Sequence, residues 1–229
     1  MDDRPVTITV TGHAELEFAP NRCTVVLQSH ADGATREQAA DPVAAAVDAL
    51  ASLVADLREQ PGSPVKQWTF DRVQHSRHRP YSQDGEIRPW QYTSSASLTV
   101  TFRAFDAIAA FVDSAAGIES VAVADLRWWL TRRKQHERRT RVRDLAVRDA
   151  RDKATGYAKS LGYSTLHVVS IADPGILGLH PTPGPAPMMR ATAMRADMAS
   201  GSDGGGREVA LEPDRISIAA DVEARFEAT

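Results

Sequence analysis

Between residues 6 and 18 the apolar side chains fall on even positions: Val6, Ile8, Val10, Ala14, Leu16 and Phe18, with Thr7, Thr9, Thr11, Glu15 and Glu17 on the odd ones. A period of two sends alternate side chains to opposite faces of an extended chain, so the stretch reads as a strand with one buried and one wet face. Gly12 interrupts the pattern at its centre, where a bulge or a close backbone approach is expected. Pro20-Asn21 reads as a turn, and Cys23, Val25 and Leu27 alternate again beyond it. The expectation is a long antiparallel hairpin whose greasy face needs a cover.

A cover follows in the chain. Thr35 and Gln38 have the spacing of a capping box, in which the threonine hydroxyl takes a backbone N–H and the glutamine reaches back. Val43, Val47, Leu50, Val54 and Leu57 then recur at helical spacing up to the breaker Pro61-Gly62. Pro42 implies either that the helix proper starts near it or that the helix is kinked there. A second hairpin is expected from Trp68, Phe70 and Val73 on one strand and Tyr92, Ser94, Ala96, Leu98, Val100 and Phe102 on the other, with the turn at Asp84-Gly85.

A short helix over about 104–115 and a strand carrying Val121, Val123, Leu126, Trp128 and Leu130 come next. A long helix is expected over about 133–161, with the apolar stripe Val142, Leu145, Ala146, Ala150, Ala154, Tyr157 and Leu161 and Gly162 as its stop. A short strand with Leu166, Val168 and Ile171 leads into a Pro-, Gly- and Met-rich stretch, 173–208, read as a flexible loop. Ile216, Ile218, Ala220, Val222, Ala224 and Phe226 mark a closing strand. The order is β-β-α-β-β-α-β-α-β-loop-β, an α+β arrangement of antiparallel hairpins with helices on one side. At 229 residues the chain is one domain or two interlocked subdomains.

Composition narrows the function classes. A net charge of −3 excludes a general polyanion binder. A single cysteine, Cys23, allows no intrachain disulfide and fits a reducing compartment. The start MDDRPVTITV lacks the basic and apolar regions of a signal peptide, and the expectation is a cytoplasmic protein.

Few residues suggest chemistry. His75 and His78 form the only close histidine pair. In a strand they face opposite sides and cannot share a metal; in a loop they could, helped by Asp71 or Asp84, although Arg77 and Arg79 oppose a cation. The segment 132–143 holds seven Lys and Arg residues, a candidate nucleic-acid surface, but three aspartates follow and no aromatic residue interleaves. Trp128 and Trp129 face opposite ways in a strand, one toward the core and one toward solvent or a subunit contact. Met188, Met189, Met194 and Met198 could meet an oxidant, a soft metal or a partner. Cys23 lies on an apolar face and reads as a buried, inert thiol. No lipase, zinc-protease or phosphate-loop motif occurs.

VTGHAELEFAPNRCTVVL (10–27), TREQAADPVAAAVDAL (35–50), YTSSASLTV (92–100), ARDKATGYAKSLG (150–162) and EPDRISIAADVEARF (212–226) together resemble the SIMPL-domain family over nearly the whole chain. The resemblance implies an α+β fold, a tendency to form homo-oligomers, and no established catalysis. Some relatives are envelope proteins, some build channel-like rings, and some are linked to oxidative stress or kinase signalling. This chain has Pro20-Asn21 where relatives usually carry Pro-Asp, and its start is not expected to be a signal peptide. The family lends no catalytic, cofactor or metal residue. The expectation is a non-enzymatic, self-associating protein, a scaffold or stress-linked binding protein. The alternatives are a nucleic-acid or nucleotide binder through 132–143 and a metal-dependent hydrolase around His75 and His78.

Overall fold

The opening strand has the two faces its pattern demands, but not the partner. The computed structural model describes residues 4–80, 87–178 and 212–229. The elements run β1 (Val6–Phe18), β2 (Arg22–Gly33), α1 (Arg36–Glu59), β3 (Val65–His78), β4 (Gln91–Phe102), α2 (Ile108–Ala116), β5 (Val121–Trp129), α3 (Arg132–Ser160), β6 (Leu166–Ala172) and β7 (Ile216–Ala228). Class and order are those expected, and every strand pairing is antiparallel. However, β1 pairs with β7 along its whole length, from Val6 opposite Ala228 to Phe18 opposite Ile216. β2 lies between β4 and β5 in a different sheet. The expected hairpin of β1 with β2 does not form.

The link between them explains why. A two-residue hairpin turn needs left-handed backbone, and the only non-glycine residue with positive φ among the described residues is Ser120. Asn21 serves another purpose. Its backbone N–H donates to the Trp129 carbonyl at 3.1 Å, its Nδ2 donates to Thr131 Oγ1 at 3.2 Å, and its Oδ1 accepts the Thr131 N–H at 2.9 Å. The asparagine steers β2 onto β5 from its first residue, Arg22 opposite Trp129.

The described residues divide into two compact units, one made of 4–18, 132–178 and 216–229, the other of 19–80, 87–131 and 212–215. In the terminal unit the sheet order is β1-β7-β6. Ile8, Val10, Val222, Ala224 and Phe226 bury one face against α3, which meets them with Ala146, Ala150, Ala154 and Ala158. This stripe corrects the expected one: Tyr157 and Leu161 are exposed, and Ala158 takes the contact. Only small side chains let the helix sit so near the sheet. Gly162, at φ +87°, ends α3, and the Tyr163 N–H reaches back to the Ala158 carbonyl at 3.0 Å.

In the inserted unit the order is β3-β4-β2-β5. Cys23, Val25, Leu27, Leu98, Val100 and Phe102 form one core with Leu50 and Val54 of α1 and Ile108, Phe111 and Ala115 of α2. The even face of β4 is buried as its alternation predicts. The second hairpin forms, with Phe70 opposite Leu98; its expected turn at Asp84-Gly85 lies outside the described residues. The capping box is present: the Gln38 N–H donates to Thr35 Oγ1, and Gln38 Oε1 accepts the Thr35 N–H, both at 3.3 Å. The helix begins there and runs through Pro42, which lacks the N–H that would bond the Gln38 carbonyl.

Candidate functional site

A connected polar arrangement in the terminal unit starts from Gly12. The close fit of Gly12 on α3 brings the outer edge of β1 under two helix side chains one turn apart. Asp149 Oδ2 accepts the His13 backbone N–H at 2.8 Å, and Lys153 Nζ donates to the Thr11 carbonyl at 3.1 Å. The two side chains pair with each other at 2.7 Å. The Lys153 ammonium and then the His13 N–H hold the Asp149 carboxyl below its ordinary 3.8. An edge strand offers unpaired backbone groups to any other strand; here two of them are occupied from within.

On the other face of this sheet the His13 ring meets Asp221, Nδ1 to Oδ1 at 2.7 Å. Glu223 lies on the same face and is only 2% exposed. Its carboxylate accepts the Gly175 N–H at 2.7 Å on one oxygen and the Leu177 N–H at 2.9 Å on the other. This fixes the turn that follows β6, in which Gly175 and Gly178 take left-handed φ of 84° and 75°. The start of the stretch read as a flexible loop is therefore built; residues 179–208 lie outside the described residues. Arg225, two residues further along β7, keeps a buried Nε without a hydrogen-bond partner among the described residues.

A cavity of about 380 Å³ lies in this unit between Arg139 and Arg143 of α3, Asp173 and Pro174 of the turn, and Ala219, Ala220 and Asp221 of β7. Sequence reading took these two arginines only as part of a basic run. Their convergence with Asp173 and Asp221 comes from contacts too distant in sequence for any local spacing to report.

The residues singled out from sequence are not brought together. His75 pairs across the hairpin with Ser94, Nδ1 to Oγ at 2.8 Å, beside a cavity of about 320 Å³ that Arg36, Arg77 and Tyr92 also line. Ser94 is buried, and the pair links the two strands at the wall of that cavity. His78 sits three residues along the strand, opposite Gln91. Asp71 accepts from Thr99 instead, and Asp84 lies outside the described residues. No cluster of three or more His, Cys, Asp and Glu side chains fit to hold a metal occurs among the described residues. Arg77 and Arg79 stack on Trp90, at 4.6 and 4.4 Å from its ring centre.

The basic segment 132–143 is the first half of α3, and its charges have separate uses. Arg133 and Lys134 pair with Glu137, Arg138 lies over the Phe18 ring at 4.9 Å, and Arg139 and Arg143 face the cavity. Trp128 meets Phe105 edge-on at 4.8 Å, while Trp129 Nε1 donates to Thr24 Oγ1 at 2.9 Å. Cys23 is fully buried, and burial, with the Asp125 charge second, pushes its thiol up to about 12. Met188, Met189, Met194 and Met198 lie outside the described residues.

Two antiparallel sheets, each backed by helices, place the chain in the α+β class. It belongs to the SIMPL family, a protein family of unknown function (DUF541), whose model matches residues 8–226. No curated protein sequence matches the chain. No helix among the described residues is long and apolar enough to cross a membrane.

Proposed function

We propose that this SIMPL-family protein is a non-enzymatic, self-associating scaffold or binding protein whose copies join along β6. The observation that carries the reading is the state of that strand. Among the described residues β6 is an edge of its sheet, and Val168, Val169 and Ile171 are 66, 54 and 50% exposed. It has no Asp, Glu, Lys or Arg, the residues that usually guard an edge. The opposite edge, β1, is guarded by Asp149 and Lys153. A second copy of the strand suits this edge. Antiparallel pairing about a two-fold axis sets Val169 against Val169 and brings no like charges together. A reducing compartment agrees with a lone, buried cysteine.

Sedimentation velocity tests the proposal. The wild-type protein is expected to sediment as a dimer or larger, and Val169→Lys, which puts a charge on the exposed edge, as a monomer. A wild-type chain that stays monomeric at the highest attainable concentration removes the reading. So does a V169K variant that associates as before.

A further inference from the structure

The sheet of the terminal unit is lopsided. β6 ends at Ala172, opposite Glu223, while β7 begins at Ile216. Residues 216–222 of β7 therefore have β1 on one side and, among the described residues, no strand on the other. The Arg139–Arg143 cavity opens against this stretch at residues 219–221. Its volume of about 380 Å³ falls within the roughly 300–1,000 Å³ of small-ligand clefts.

We propose that this cavity takes an extended acidic peptide, which adds as a strand to β7 along residues 216–222 and sets a carboxylate between Arg139 and Arg143. Strand addition supplies affinity through main-chain hydrogen bonds, while side-chain contacts supply selection. Ala219 and Ala220 leave the approach to the β7 backbone open. The turn at one end of the site is held in place by the buried Glu223 carboxylate.

The unpaired guanidinium donors choose the kind of ligand. Arg139 and Arg143 stand one helical turn apart, and neither has an ion pair among the described residues. Of the two carboxylates on the lining, Asp221 is engaged by the His13 ring. Neither guanidinium is paired with Asp173 or Asp221, although all four line the cavity, so both keep donors open to a ligand carboxylate. Guanidinium forks match a carboxylate in plane and spacing, which favours an acidic side chain over a neutral one.

Fluorescence polarisation with a labelled Val-Glu-Val-Glu-Val-Glu peptide tests the site on the full chain. Binding is expected to weaken about tenfold in the double variant R139Q/R143Q, and by a similar factor for the Val-Gln counterpart of the probe. Both arginines are exposed, so the variant is expected to keep the wild-type circular dichroism. Hydrogen exchange upon peptide addition is expected to slow within 216–222. The proposal is overturned by the absence of saturable binding, by equal affinity in the variant, or by protection confined to 166–172. That last pattern would place the probe on the β6 edge instead.

Discussion

A Cβ built on Gly12 would stand 2.0 Å from the carbonyl oxygen of Ala146 and 2.8 Å from the Ala150 Cβ. The strand and the helix meet there backbone to backbone, which is why the stripe of α3 is alanine and why Asp149 and Lys153 can reach the edge of β1. The obstacle is main chain, so it cannot rotate away. Gly12→Ala is therefore expected to cost about 3 kcal/mol, at the upper end of overpacking penalties. Urea denaturation checks this. A variant with the wild-type midpoint and slope would mean that α3 does not lie this close to β1.

Glu223 holds the turn after β6, and its loss isolates two donors at once. In Glu223→Ala the Gly175 and Leu177 N–H groups lose their acceptor in a partly buried place. The expected destabilisation is about 2 kcal/mol. Glu223→Gln keeps one acceptor oxygen and turns an amide N–H₂ toward the other donor, so it is expected to fall between wild type and alanine. Amide exchange at Gly175 and Leu177 reports the effect directly. Unchanged rates in E223A would show that the turn is held by something else.

Much of the fold is legible in residue order because alternation and helical spacing are local. The even face of β1, the even face of β4 and the Thr35–Gln38 capping box all follow from neighbours in the chain. What alternation cannot supply is the identity of the neighbouring strand. It fixes which face is buried, and any strand with a matching face satisfies it. β1 and β2 are separated only by residues 19–21, yet β1 pairs with a strand at the far end of the chain. The bonds of Asn21 to Thr131 that send β2 elsewhere join residues 110 apart in sequence.

The same limit hid the polar site. His13 and Asp149 are 136 residues apart, and Gly175 and Glu223 are 48 apart. Reading α3 by hydrophobicity promoted Tyr157 and Leu161 over Ala158, because large apolar side chains are the usual sign of a buried face. The Gly12 contact reverses that preference, since it selects for small size. Gly12 itself was the one available hint, as a glycine inside a strand pattern marks a close backbone approach.

The link between Asp149 and β1 gives acid stability a defined direction. Its carboxyl is held below its ordinary 3.8, chiefly by Lys153 and next by the His13 N–H. A group whose folded value is depressed contributes stability that is complete above its unfolded value and is lost as pH falls through the folded one. Asp149 and Lys153 keep 35 and 44% of their side-chain surface exposed, so solvent screens the pair and the contribution is about 0.5 kcal/mol. Asp149→Asn is expected to be less stable than wild type by that amount at neutral pH. The gap is expected to close as pH falls below the ordinary 3.8 and the wild-type carboxyl becomes neutral as well. Paired urea titrations across this range decide the matter: a gap that stays constant or widens in acid would show that the Asp149 charge does not hold β1 to α3.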